Sequence, residues 1–274
     1  MLYEQIQQSI EHIRTITDFK PTTGIILGTG LGDFTDEIQQ KIEIHYATIP
    51  HFPISTVQGH SGKLIFGVLG GKRVVVMSGR FHWYEGYTMR QVTFPVRVLK
   101  GLGIQNIVIT NVSGSTNADI LAGDLVFVKD HINLLPDNPL RGDHDDRLGV
   151  RFPDMSNIYD KILINKGLEI CNLNHIRACT GVYVGFPGPS LETPSEYRFL
   201  NLIGGDLVGM STVPEAIVAK HSDLKILVIS VVSNQCFPPD IIQETTIEAV
   251  IALAKATAPK LKFVICKLLE NNIL

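Results

Sequence analysis

Several short segments of this sequence combine small residues with groups able to hold an anion or a heterocycle. Gly28-Thr29-Gly30-Leu31-Gly32 follows an apolar run directly. Its glycines allow backbone N–H groups to turn toward an anion, and Thr29 adds a hydroxyl donor. A tight turn without a ligand is the alternative. The dinucleotide fingerprint fails because Asp33 stands where its third glycine belongs, and no phosphate-loop G-K-[ST] is present. Ser78-Gly79-Arg80-Phe81-His82-Trp83-Tyr84-Glu85 places Arg80 and His82 at alternating positions, so an extended backbone points both to one face. Arginine forms paired hydrogen bonds to phosphate oxygens, and Glu85 is near enough to orient a cation. Asn111-Val112-Ser113-Gly114 can present backbone N–H groups at a strand end.

In Gly188-Pro189-Ser190-Leu191-Glu192-Thr193, the carboxylate of Glu192 can accept from the ring N–H and exocyclic amine of a base. It can equally serve only the positive end of a helix, worth about 0.3–1 kcal/mol. Gly209-Met210-Ser211-Thr212-Val213 approaches the serine-hydrolase elbow, but Val213 replaces the second glycine. Ser211 therefore reads as a hydroxyl at a helix start, aimed at an anion. Met210 can pack under a sugar or simply fill the core. Ser233-Asn234-Gln235 closes a long apolar run.

The elements that must position these groups are legible as short β-branched runs. They begin at Gly24, Lys63, Arg73, Asn106, Asp124, Gly181 and Lys225. Apolar on both faces, they suit strands covered by helices on each side. Residues 88–100 carry apolar side chains at near-helical spacing, with Pro95 arguing against a straight helix. Thr193-Pro194 with Glu196 marks a capped helix start. The stretch from about Thr245 to Leu269 is predicted helical, with a break expected at Pro259. Alternating strands and helices define an α/β fold: a single domain over residues 1–274, with a central mixed, twisted sheet flanked by helices. Ligands of open α/β sheets sit at the carboxyl ends of the strands, where most of these segments lie. One small pocket that accepts an anion follows. The long polar segment 137–156 is expected to be a lid or an interface loop.

Composition restricts the function classes. Hydrophobic residues make up 45% and the formal net charge is −3. A large core is available, and the basic excess of a protein that grips long nucleic acid is missing. Cys171, Cys179, Cys236 and Cys266 are scattered, which predicts reduced thiols, no zinc site and no disulfide framework. The first 16 residues read as an amphipathic helix rather than a signal peptide. No apolar run approaches a bilayer span. A soluble cytoplasmic protein is expected.

From about Gly24 to about Ser233 the sequence resembles the trimeric purine nucleoside phosphorylases. The likeness is carried by GTGLG, FPISTVQGHSGKL, GRFHWYEGY, DHINLL, NPLRG, RFPDMS, GPSLET and GMSTVPE, in that order. The resemblance implies the nucleoside phosphorylase fold, with phosphate held by Thr29, Arg80, His82, Ser211 and the N–H of Val112, and with His60 beside it. It implies ribose contacts from Tyr84 and Met210 and purine contacts from Glu192 and Asn234. His82, Glu192 and Asn234 would be the catalytic groups. Phe152 would reach into a neighbouring subunit's pocket, implying a homotrimer. No metal or organic cofactor is implied; inorganic phosphate is the co-substrate, and purine salvage the setting.

The amide of Asn234 favours 6-oxo purines, so inosine, guanosine and their deoxy forms are the expected substrates. Two departures bear on this. Gln235 stands where many relatives carry a lysine. Ile247 stands, by ungapped count, where a histidine usually meets the 5′-hydroxyl. The second departure keeps open a methylthioadenosine or methylthioinosine phosphorylase of the same fold. A nucleoside-binding protein without turnover is the alternative from another class. Phosphate dependence separates these readings.

Overall fold

The computed structural model describes residues 1–54 and 61–274. The strands are β1 (Thr23–Ile26), β2 (Gln39–His45), β3 (Lys63–Leu69), β4 (Lys72–Ser78), β5 (Asn106–Ser115), β6 (Leu125–Asn133), β7 (Ala178–Gly185), β8 (Leu207–Gly209) and β9 (Lys225–Gln235). Their order in the sheet is β2-β3-β4-β1-β5-β8-β7-β6-β9, and β9 also pairs with β5. The strands β5, β8, β7, β6 and β9 thus close into a ring, while β2, β3, β4 and β1 form an open wing. The β4-β1-β5-β9 stretch is parallel; β2-β3-β4, β5-β8 and β6-β9 are antiparallel. The sheet is therefore mixed, as expected.

Val76, Ile25, Val108 and Leu227 lie side by side across four strands, each with no exposed surface. Burial on both faces explains why these strands read as continuous apolar runs rather than alternating ones. The helices that cover them are α1 (Leu2–Ile16), α2 (Met89–Gly101), α3 (Lys161–Leu173), α4 (Pro194–Leu202), α5 (Val213–His221) and α6 (Ile247–Glu270).

A fork in the sheet creates the space for a site. β1 stops at Ile26, but β5 runs on to Ser115, and β8 takes up the side of β5 that β1 leaves. The glycine loop after β1 sits in this fork. A Cβ on Gly28 would meet Asn111 Cα at 2.9 Å, and Gly30 holds φ +77 against α6. Close backbone approach therefore requires both glycines.

The expected break at Pro259 does not occur. α6 runs unbroken from Ile247 to Glu270. Pro259 lies on the water-facing side with Lys255 and Ala256, where hydration can satisfy the carbonyl that lost its partner. Leu261, Val264, Ile265 and Leu268, fully buried on the opposite side, hold the helix down. α2 likewise continues through Pro95. The start of α4 matches its sequence signal: Thr193 Oγ1 accepts from the Glu196 N–H at 3.3 Å, and Glu196 accepts from the Thr193 N–H at 2.7 Å.

Candidate active site

The strand-end segments converge on one pocket. Gly28 and Thr29 enter it from the loop after β1, Arg80, His82 and Tyr84 from the segment after β4, and Asn111 to Gly114 from β5. Gly209, Met210 and Ser211 come from β8 and the turn into α5; Ser233 and Asn234 come from β9. Glu192 reaches it from the segment before α4 and Ile247 from the first residue of α6. Of the eleven residues singled out for phosphate or nucleoside contact, the structure brings together Thr29, Arg80, His82, Tyr84, Val112, Glu192, Met210, Ser211 and Asn234. His60 lies outside the described residues. Phe152 does not line this pocket. It is 88% exposed in the loop between β6 and α3, with the Arg151 guanidinium 5.8 Å from its ring centre.

One part of the pocket is cationic and rich in hydroxyls. Arg80 is fully buried; its Nη1 donates to Ser211 Oγ at 2.9 Å. His82 is held twice by Glu85, whose Oε1 lies 2.8 Å from the His82 backbone N and 2.9 Å from Nδ1. Tyr84 stacks on the imidazole, with ring centres 4.7 Å apart. Burial, reinforced by Glu85, pushes the Tyr84 phenol up to about 12, so it stays neutral.

The other part is built to read polar edges. Burial raises the carboxyl of Glu192, against the opposing pull of backbone hydrogen bonding and of the Tyr197 hydroxyl. Asn234 Oδ1 lies 2.6 Å from Ser233 Oγ; its Nδ2 lies 3.1 Å from Cys236 Sγ and 3.2 Å from Thr245 Oγ1. Gly114 permits this packing, because a Cβ there would meet Cys236 Sγ at 2.8 Å. Met210 occupies the space that Gly188 leaves by having no side chain.

Sequence reasoning missed Tyr197 and Thr245 as pocket residues, whereas Asn111, singled out with the strand end it belongs to, lines the pocket. For Tyr197 a signal existed, since it lies within the first turns of a capped helix that starts just after Glu192. Thr245 lies in an irregular stretch before α6 and carries no such mark.

A forked α/β sheet whose strand ends meet at a pocket pairing a guanidinium with a half-buried carboxylate has the architecture of α/β proteins that bind small polar ligands at their strand ends. The family model described as phosphorylase superfamily matches residues 22–270. Purine nucleoside phosphorylase 1 of Geobacillus stearothermophilus is 50% identical over 229 residues, covering 84% of each chain. The purine nucleoside phosphorylase of Rattus norvegicus is 41% identical over 275 residues, covering 98% of this chain and 95% of its own. A Schistosoma mansoni purine nucleoside phosphorylase solved in complex with inosine superposes with a TM-score of 0.92 at 38% identity, covering 97% of this chain and 96% of its own. The chain belongs to the purine nucleoside phosphorylases of the phosphorylase superfamily.

Proposed function

We infer that this chain splits inosine, guanosine and their deoxy forms with inorganic phosphate, giving the free base and ribose 1-phosphate or, from the deoxy forms, deoxyribose 1-phosphate. The observation that carries the reading is the meeting, in one pocket, of the Arg80–Ser211 pair with Glu192 and Asn234. Cleavage at carbon 1′ leaves positive charge on the ribose and sends the electron pair of the glycosidic bond to the purine. Phosphate held by Thr29, Arg80, His82, Ser211 and the N–H of Val112 is both nucleophile and counter-charge for the sugar. Asn234 donates to ring nitrogen 7, where negative charge develops, and Glu192 accepts from the ring N–H. Tyr84 and Met210 flank the ribose. Such preorganised positioning and charge stabilisation lower barriers by several kcal/mol. Phosphate is the only co-substrate this chemistry requires. The test is the sugar product: ribose 1-phosphate, formed with saturable dependence on phosphate, is expected, whereas free ribose formed without phosphate contradicts the reading.

Ile247 supports a second substrate class. It is 53% exposed at the rim of the pocket, an apolar side chain beside Val250. This setting suits a nucleoside whose 5′ position is deoxy or methylthio-substituted.

The assembly we propose is a homotrimer acting in cytoplasmic purine salvage. Phe152 and Val150 support it: 88% and 64% exposed two residues apart in one loop, they offer an apolar patch for a partner surface. Phe152→Ala is expected to raise the inosine KM about tenfold, the scale of a lost aromatic anchor, while the phosphate KM holds. Sedimentation should give three times the chain mass. A monomer with an unchanged inosine KM in the variant would contradict the assignment.

A further inference from the structure

The residue that ties the cationic part of the pocket together lies behind it. Glu215, in the first turn of α5, is 2% exposed. Its Oε1 lies 3.3 Å from Arg80 Nε, and its Oε2 accepts from the Thr212 N–H at 3.0 Å. One carboxylate thus grips two elements that are far apart in sequence: the guanidinium after β4 and the turn after β8. That turn is unusual. Thr212 holds φ +72 and ψ −55, and the Val213 N–H reaches back to the Ser211 carbonyl at 2.7 Å. A γ-turn of this hand is strained for a β-branched residue and persists only where its surroundings enforce it. Its second restraint is Asn111 on β5, whose Nδ2 donates to Thr212 Oγ1 at 3.0 Å. The result of the strain is that Ser211 Oγ faces Arg80 Nη1 at 2.9 Å.

We propose that Glu215 is a positioning residue for phosphate: its buried carboxylate fixes the Arg80 guanidinium and the strained Ser211–Thr212 turn in one anion-binding geometry. The inference rests on the reading of Arg80 and Ser211 as phosphate ligands. Two charges of opposite sign, each buried and already aligned, give a site that does not reorganise when the anion enters. A glutamate at this position of a helix also completes a capping box. A capping role alone would change stability and leave substrate affinities in place. That difference makes the two roles separable.

The experiment compares Glu215→Gln, Glu215→Asp and Ser211→Ala in the full chain, reading phosphate KM, inosine KM, kcat and melting temperature. Glutamine keeps the shape but loses the charge. It is expected to raise the phosphate KM about 20-fold while the inosine KM moves less than about threefold. Aspartate keeps the charge on a shorter reach, so the phosphate KM should rise about fivefold in a folded protein. Should the glutamine variant fail to fold, the aspartate variant decides alone. A phosphate KM within about twofold of wild type in the folded Glu215 variants, with only the melting temperature lowered, would overturn the proposal and leave a cap. The Ser211→Ala variant separates the two levels. If it leaves the phosphate KM unmoved, the phosphate assignment itself fails; if it raises that KM while the Glu215 variants do not, only the role of Glu215 fails.

Discussion

Asn234→Asp is expected to lower kcat/KM for inosine by about 10²- to 10³-fold and to raise it for adenosine. In the proposed reading the amide gives up one of its two present Nδ2 contacts, to Cys236 Sγ or Thr245 Oγ1, donates to ring nitrogen 7 instead, and tolerates a 6-oxo group beside it. A carboxylate in its place sets lone pairs against both acceptors, an unmatched contact costing roughly 3–4 kcal/mol in a partly buried site. Against a 6-amino group the sign reverses, because a carboxylate oxygen accepts from the amine. The neighbours of Asn234 allow the exchange. Thr245 Oγ1 and Cys236 Sγ face Nδ2 at 3.2 and 3.1 Å, and a hydroxyl and a thiol can each turn to donate to an oxygen. Burial pushes the Cys236 thiol up to about 11, so it keeps the proton it donates. The ratio of adenosine to inosine kcat/KM checks this; a ratio unchanged from wild type would remove Asn234 from base recognition.

Glu192→Gln is the second large effect. A carboxylate accepts at both oxygens, whereas an amide offers one acceptor and one donor. Guanosine presents a ring N–H and an exocyclic amine to this position, so one donor must face the amide nitrogen. Guanosine kcat/KM should therefore fall about 10²-fold or more, and that of inosine, lacking the exocyclic amine, less. The pH profile supplies an independent check. In the proposed reading Glu192 accepts from the base in its ionised form, and burial raises its carboxyl above the ordinary value of 4.5. Acceptance is present above the raised pKa and is lost as pH falls through it. In the wild type kcat/KM should thus decline on the acid side at a pH above 4.5. In the variant that limb should disappear. An identical acid limb in both proteins would assign it to another group.

How much of this was visible beforehand depended on whether a signal was local. β3, β4, β5 and β9 are apolar on both faces and announce themselves as runs. β2 does not: it lies at the sheet edge, with only Ile44 of QQKIEIH buried, and its sole mark is the short alternation of Ile42 and Ile44 with polar residues rather than an apolar run. β8 is three residues long, below any periodicity. α3 was missed although Asp160 caps it, accepting from Ile162 and Leu163. Pro259 shows the opposite failure, a local rule overridden by packing on the far side of the helix.

Most of the nine pocket residues were legible because they lie at or just after a strand end, where glycine, serine, asparagine and charge interrupt an apolar run; Glu192 instead lies just before the capped start of α4. The groups behind them were not. The grip of Glu215 on Arg80, the Thr245 contact with Asn234 and the Tyr197 hydrogen bond to Glu192 depend on tertiary placement. For Glu215 and Thr245 nothing in the local sequence marks that placement. Sequence pattern reveals the residues that face a ligand more readily than those that hold them in place.

The most direct test of the account is base release from inosine, guanosine, adenosine and methylthioadenosine, each with and without phosphate. The account predicts cleavage of inosine and guanosine that requires phosphate, with adenosine turned over far more slowly. Release without phosphate, or methylthioadenosine as the fastest substrate, would contradict it. The second result would mean that Ile247, rather than Asn234, sets the substrate range.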